Sequence, residues 1–244
     1  MIEFLGIGIR HLDGDGWLVR EGTARLDPGQ LVVLSGADSA TRLAVLDVIG
    51  GRRIPAEGRA WIHHIPLMRE TAARIRRFGG EARLDDAVHG HGSVLWSVMA
   101  ASTGARLIGR LLPLPGRQAR EKAAAALAAV GLGDRVHEPV ARLSRLDRHR
   151  LVIAQAVAGK PPHLVIRELD GTVPRHDVEP LLTLLRSLTR NDRRLVVVTL
   201  AEPTVAARLA DRCLHVAGVG FVDGGPPTPQ GPQGLDRRLV VVRT

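Results

Sequence analysis

Residues Asp27 to Gly51 read DPGQLVVLSGADSATRLAVLDVIGG, and their succession of turn, apolar run, Gly-containing loop and helical pattern decides the fold. Asp27-Pro28-Gly29 is a turn signal, and Leu31 to Leu34 have the length and composition of a buried strand. From Ala40 to Ile49 apolar residues recur at helical spacing and stop at Gly50-Gly51. A strand that passes through a short loop into a helix aims backbone N–H groups at whatever lies beyond the helix start. That is how a loop presents itself to a phosphate.

Upstream, Ile2 to Ile9, Trp17 to Val19 and Thr23 to Leu26 are short apolar runs broken by Gly and Asp and read as three more strands. Downstream, from Leu84 to Arg150, the chain turns helical, with the Ala-rich run Arg117 to Val130 stopping at Gly131. The last third alternates: helix Arg148 to Ala158, strand His163 to Ile166, helix Asp177 to Leu188, strand Leu195 to Thr199, helix Pro203 to Leu209, strand Cys213 to Val216. Apolar strands without polar alternation, each separated by a helix, imply a parallel sheet covered on both faces. A Pro/Gly/Gln-rich connection, Gly224 to Gly234, precedes a last expected strand at Arg238 to Val242. The expected organisation is a first part of the α/β core over 1–83, a helical subdomain over 84–150, the rest of the core over 151–223, and a connection with a terminal strand over 224–244.

Composition narrows the function. Aromatic residues make up 2% of the 244, with no Tyr, which disfavours nucleic-acid modules that stack bases on exposed rings. The net charge of +9 is carried almost wholly by Arg, with Lys only at Lys122 and Lys160, scattered without a long run. That pattern reads as amino-acid usage rather than a nucleic-acid footprint. The lone Cys213 excludes an internal disulfide framework, and no apolar run is long enough to span a bilayer, so a cytoplasmic protein is expected. His63-His64 and the pair His89 and His91 have no carboxylate or Cys completing a ligand set, and no metal site is expected from them.

Three stretches taken in order, Asp27 to Gly51, Val130 to Gly171 and Arg193 to Gly218, resemble the nucleotide-binding subunit of ATP-binding-cassette (ABC) transporters. The resemblance implies a P-loop NTPase fold of the ABC-ATPase type: α/β, a parallel sheet core with an antiparallel β edge and an inserted α-helical subdomain. It also assigns positions. The phosphate-binding pattern G-x-x-G-x-G-K-[ST] falls on Gly36, Ser39, Ala40, Thr41, Arg42 and Leu43, with Ala44 next. Two glycines are thus replaced by Ser39 and Thr41, which are expected to strain the loop by roughly 1 to 2 kcal/mol wherever a left-handed residue is needed. Asp38 adds negative charge, Arg42 stands for the lysine, and Leu43 and Ala44 remove the hydroxyl that ligates Mg²⁺.

On the Walker B strand the metal-orienting Asp falls on Arg167, and the catalytic carboxylate position keeps Glu168, the candidate catalytic residue. A unit charge near 4 Å is worth about 4 kcal/mol at an effective dielectric of about 20, so a cation facing the Mg²⁺ position outweighs the retained Glu168. Arg167 is otherwise expected to pair with an acid such as Asp170 or to touch phosphate without metal. The signature LSGGQ falls on Leu143, Ser144, Arg145, Leu146 and Asp147, the switch histidine on Leu200, and the Q-loop glutamine near Gly80.

From the resemblance the expected role is a non-hydrolysing, structural or regulatory cassette that docks on a membrane permease or a second ABC ATPase subunit as a homo- or heterodimer, at the inner face of the cell membrane. No cofactor is expected, save ATP without Mg²⁺ at low affinity. An atypical but working transport ATPase and a nucleic-acid-associated ABC-type protein are the alternatives.

Overall fold

The computed structural model describes residues 1–12, 14, 16–36, 38–84, 92–102, 116–167, 169–201, 208–217 and 220–223. Its strands are β1 (Ile2–Arg10), β2 (Trp17–Leu26), β3 (Leu31–Ser35), β4 (Glu57–Ile62), β5 (Ile65–Pro66), β6 (Gly80–Arg83), β7 (His163–Arg167), β8 (Leu195–Thr199), β9 (Arg212–Ala217) and β10 (Gly220–Asp223). Its helices are α1 (Ser39–Ile49), α2 (Arg69–Phe78), α3 (Val94–Ser102), α4 (Arg117–Ala129), α5 (Arg145–Val157), α6 (Leu169–Thr172) and α7 (Arg175–Asp192).

Six strands form the central sheet in the order β10-β9-β3-β8-β7-β6. The pairs β9·β3, β3·β8, β8·β7 and β7·β6 are parallel, and only β10 runs antiparallel at the edge. Period-2 geometry explains why these strands show no polar alternation. Leu31, Val33, Leu164, Ile166, Val196 and Val198 point into one core, shared with α3, α4, α5 and α7. Val32, Leu34, Val165, Leu195 and Val197 point into the other, shared with α1 and the second sheet. That sheet is antiparallel, ordered β2-β1-β4-β5. The fold class expected from the sequence is the one observed.

Several local expectations are corrected. Trp17 to Leu26 is one strand, not two, because Glu21 adopts φ +57° and Gly22 follows it, so the apolar alternation slips while pairing to β1 continues. β4, α2 and β6 had no expected counterpart. α2 buries only Ala72 and Ile75, and β6 is the four residues Gly-Glu-Ala-Arg, too short and polar to announce themselves. Most of the helix expected at Pro203 to Leu209, the connection after Gly224 and the strand at Arg238 to Val242 lie outside the described residues. No described helix is long and apolar enough to cross a membrane.

One glycine fixes the second sheet. Gly58 has φ +74°, and a Cβ there would lie 2.2 Å from the Gly6 carbonyl oxygen and 2.6 Å from that of Leu5. Backbone cannot swing aside as a side chain can. Gly58→Ala is therefore expected to destabilise the protein by about 2 kcal/mol or more, read as a lower urea midpoint at unchanged slope.

Candidate functional site

β3 ends at Ser35 and α1 begins at Ser39, and because β8 and β7 run parallel to β3 their C-terminal ends lie on that same side of the sheet. Gly36 sits at φ +73°, the left-handed conformation that favours glycine, with the His215 imidazole closed over it: a Cβ at residue 36 would lie 2.3 Å from the ring. Ser35 Oγ is 3.4 Å from His215 Nδ1.

Asp38 is the N-cap of α1. Its carboxylate accepts from Thr41 N–H at 2.7 Å and from Thr41 Oγ1 at 3.1 Å. These bonds, led by the one from Thr41 N–H and joined by those from its own and the Ala40 N–H, hold the Asp38 carboxyl below the usual carboxylate range. A side-chain anion thus already occupies the helix N-terminus. Ser39 and Thr41 are both helical and neither has a positive φ, so the strain expected of them is absent: α1 simply begins at Ser39. Ser39 and Ala40 face solvent, Thr41 and Ala44 are buried, and Leu43 is half-buried against the core.

Arg42 does not reach outward as a phosphate clamp. It is 7% exposed and Nη1 donates to the Gly36 carbonyl at 3.0 Å, tying the helix back onto its own loop.

Among the described residues, Arg167 is held by two acids that the sequence reading did not name. Its Nη2 donates to Asp47 Oδ1 on α1, and its Nε donates to Glu81 Oε1 on β6 at 2.7 Å. Glu81 pairs in register with Val165, two residues before Arg167, so the guanidinium folds back toward the strand's beginning, away from the loop. Arg52 Nε completes the chain of charges at 2.6 Å from Glu81 Oε2. Glu168 and the side chain of Asp170 lie outside the described residues.

The remaining assigned positions divide. Leu200 follows β8, is buried, and donates its N–H to Leu34 O at 3.0 Å, directly beside the loop strand. Leu143 is buried, while Ser144 caps α5: its Oγ accepts from Asp147 N–H at 3.1 Å and donates to Asp147 Oδ2 at 2.6 Å. Asp147 is held further by Arg135 at 3.0 Å and Arg150 at 3.2 Å, and Arg145 donates to Thr172 O at 2.8 Å. The assignment of the Q-loop position to Gly80 is a correction: Gly80 opens β6 beside Leu164, at the end of the sheet opposite the loop, whereas the chain leaves the loop end of β6 at Arg83 and Leu84. Sequence reading missed the partners Asp47 and Glu81 and the covering His215. Asp38 could have been found, since an Asp three residues before a buried Thr at a helix start is a capping signal.

The fold and the loop together define the class: a P-loop NTPase fold of the ABC-cassette type. It matches cbiO1 from Clostridium perfringens, part of the ABC transporter complex cbiONQ, with a TM-score of 0.80 at 16% identity, covering 93% of this chain and 88% of that one. A dimeric ATP-binding cassette in a post-hydrolysis state bound to ADP and Pi matches with a TM-score of 0.70 at 19% identity, covering 95% and 100%.

The sequence relatives take the identification from fold to lineage. The chain is 28% identical over 199 residues to the lipoprotein-releasing system ATP-binding protein LolD of Pseudomonas fluorescens, covering 78% of this chain and 82% of that protein. It is 28% identical over 233 residues to the phosphonates import ATP-binding protein PhnC 2 of Rhodopseudomonas palustris, covering 93% and 79%. No protein-family model matches. The chain is a homologue of ABC transporter ATP-binding subunits.

Proposed function

We propose that this chain is an ABC-type cassette that neither holds Mg-ATP nor hydrolyses it, and that it contributes shape and an interface to a membrane permease or to a second cassette. The observation that carries this is the Asp38 carboxylate bound to the α1 N-terminus, the place a phosphate group would take. Bringing a polyanion there requires displacing a carboxylate from N–H groups it already satisfies, or stacking negative charge on it. Three further features favour the same reading. The Arg42 guanidinium is committed to Gly36 O, the apolar Leu43 offers no metal ligand, and Arg167 is committed to Asp47 and Glu81. The residues present do not fit a Mg²⁺-bound triphosphate. Metal-free ATP at low affinity is the nucleotide state this reading allows.

As a cassette homologue it would act as a homo- or heterodimer at the inner face of the membrane. Ser144, bonded to Asp147, has its hydroxyl engaged, so the signature side of a shared site is also occupied by its own contacts. A structural or regulatory contribution is therefore favoured over a catalytic one.

The experiment is calorimetric titration with ATP, with and without Mg²⁺, followed by phosphate release. The expected result is no gain in affinity on adding Mg²⁺ and no turnover above buffer. Asp38→Gly, which frees the α1 N–H groups and removes a charge, is expected to raise metal-free ATP affinity by about tenfold. Submicromolar Mg-ATP affinity together with a rate that Glu168→Gln abolishes would overturn the proposal.

A further inference from the structure

Helix α2 follows β5 and rests on the turn that ends α1 by one narrow side, burying only Ala72 and Ile75. Ile75 meets Gly51 there: a Cβ on Gly51 would lie 2.8 Å from the Ile75 Cγ2. At about 100° per residue, Arg69, Ala73 and Arg77 fall on the opposite side, turned to solvent, with Glu70 and Arg74 flanking one way and Arg76 the other. The 34 Lys and Arg of the chain put one or two in an average stretch of this length, and α2 carries four with one acid, Glu70.

The fold does not use most of them. On α5 the arginines are committed: Arg145 donates to Thr172 O, Arg148 to Ala141 O and Arg150 to Asp147. On α2 only Arg76 is, through Gly51 O at 2.9 Å. No hydrogen bond or ion pair among the described residues holds Arg69, Arg74 or Arg77, and Glu70, four residues before Arg74, does not pair with it. The last turn of a helix favours Arg76 and Arg77 through the dipole, but Arg69 is the first helical residue, where a cation is disfavoured, and Arg74 and Arg77 are like charges at i, i+3. Directly before Arg69, the N-cap residue Met68 is 53% exposed. A stripe of unpaired guanidiniums beside a flexible apolar group is the pattern of a helix that lies on a charged interface.

We propose that the outer face of α2, Arg69, Arg74 and Arg77 with Met68, is a docking surface for an anionic lipid bilayer, the guanidiniums on headgroup phosphates and the thioether at the headgroup–acyl boundary. Arg offers paired N–H donors that match phosphate geometry. A bilayer suits this face better than other polyanions do. An outward helix face is convex, without the groove an acidic peptide needs, and the one ring of α2, Phe78, packs against the core and offers no base a stacking platform. The inference goes beyond the cassette reading and needs neither nucleotide nor permease, so either can fail without the other.

The test is co-sedimentation of the full chain with vesicles of equal parts phosphatidylglycerol and phosphatidylcholine, and with pure phosphatidylcholine, at about 0.05 M and about 0.5 M NaCl. The expected result at low salt is partition onto the anionic vesicles at least about tenfold above the zwitterionic ones, lost at high salt. Each Arg near such a surface is worth about fivefold, so Arg69→Gln/Arg74→Gln/Arg77→Gln is expected to cut partition about a hundredfold. Arg120→Gln/Lys122→Gln/Arg142→Gln, the same charge change at exposed positions elsewhere, is expected to leave it within about threefold. Arg69→Lys/Arg74→Lys/Arg77→Lys keeps the charge and is expected to retain binding within about threefold, which separates lost attraction from lost folding. Met68→Gln, which changes no charge, is expected to weaken binding about fivefold. Equal retention on both vesicle types, an equal loss in the two Gln triple variants, no loss with Met68→Gln, or tighter retention on single-stranded RNA than on the anionic vesicles at the same salt would overturn the lipid surface.

Discussion

Replacing Arg167 by methionine is expected to cost about 3 kcal/mol of stability, the largest single-residue effect in the nucleotide-loop half of the molecule. The Arg167 side chain is 11% exposed and lies between Asp47, 30% exposed, and Glu81, 19% exposed. Removing one partner from a buried charge cluster leaves the others desolvated without compensation, and in fully buried cases that costs about 3 to 5 kcal/mol. The lower end applies here because water reaches Asp47 and because Arg52 stays on Glu81. Asp47 has no other side-chain partner among the described residues, so it bears most of the loss. Two comparisons make the cause visible in urea denaturation. Adding Asp47→Leu to Arg167→Met is expected to recover at least half of the lost stability. Arg167→Asp, which sets a third carboxylate beside two, is expected to be worse than Arg167→Met. Equal stability of wild type and Arg167→Met would show that the guanidinium is not what holds α1 to β6 and β7.

The same arginine separates what the sequence makes legible from what it does not. The strand–loop–helix at Leu31 to Ile49 is readable because its signals are local: a turn, an apolar run, a helical period and a stop at Gly50-Gly51. The doubly covered sheet is readable because strands buried on both faces have no polar alternation to lose. Side-chain commitments are not local. Arg167 finds Glu81 across 86 positions and Asp47 across 120, and nothing in the composition of either stretch marks them as partners. A cation on the Walker B position therefore reads as a charge aimed at a metal, when it is turned back to hold the fold. The loop shows the same limit in reverse. Ser39 and Thr41 look like strain if the backbone is required to curl as a glycine loop does, but the helix begins early and Asp38 caps it, so the chain avoids the strain by changing shape.

The signature stretch and the loop share a physical pattern. In each, a short polar side chain at a helix N-terminus, Asp38 on α1 and Ser144 on α5, satisfies the helix's own N–H groups. Helix starts that would recognise an external anion become self-sufficient in this way. The helices gain order from it, which suits a subunit whose contribution is a defined surface.

The second large effect is expected in mild acid and comes from the far end of the sheet. Burial, reinforced at His163 by His63 and the N-terminus and at His63 by the N-terminus and His64, pushes the His163 pKa down to about 3 and that of His63 to about 4. In the unfolded chain both rings take a proton near pH 6.5. Between pH 6.5 and about 4 the unfolded state therefore binds protons that the folded state excludes. Stability from this source is complete above pH 6.5 and is lost as pH falls toward the folded values, by up to about 1.4 kcal/mol per pH unit for each ring. For a step from pH 7 to pH 5 that sums to roughly 4 kcal/mol, and screening at the half-exposed His63 brings the expectation to about 3 kcal/mol. His149 on α5, lowered chiefly by burial and then by Arg145, adds a smaller loss of the same sign. Urea denaturation at pH 7, 6 and 5 measures it in a range above most carboxylate titration. The double variant His63→Phe/His163→Phe is expected to lose most of the slope while keeping the residue due to His149. A wild-type slope no steeper than the variant's would place the proton uptake elsewhere in the chain.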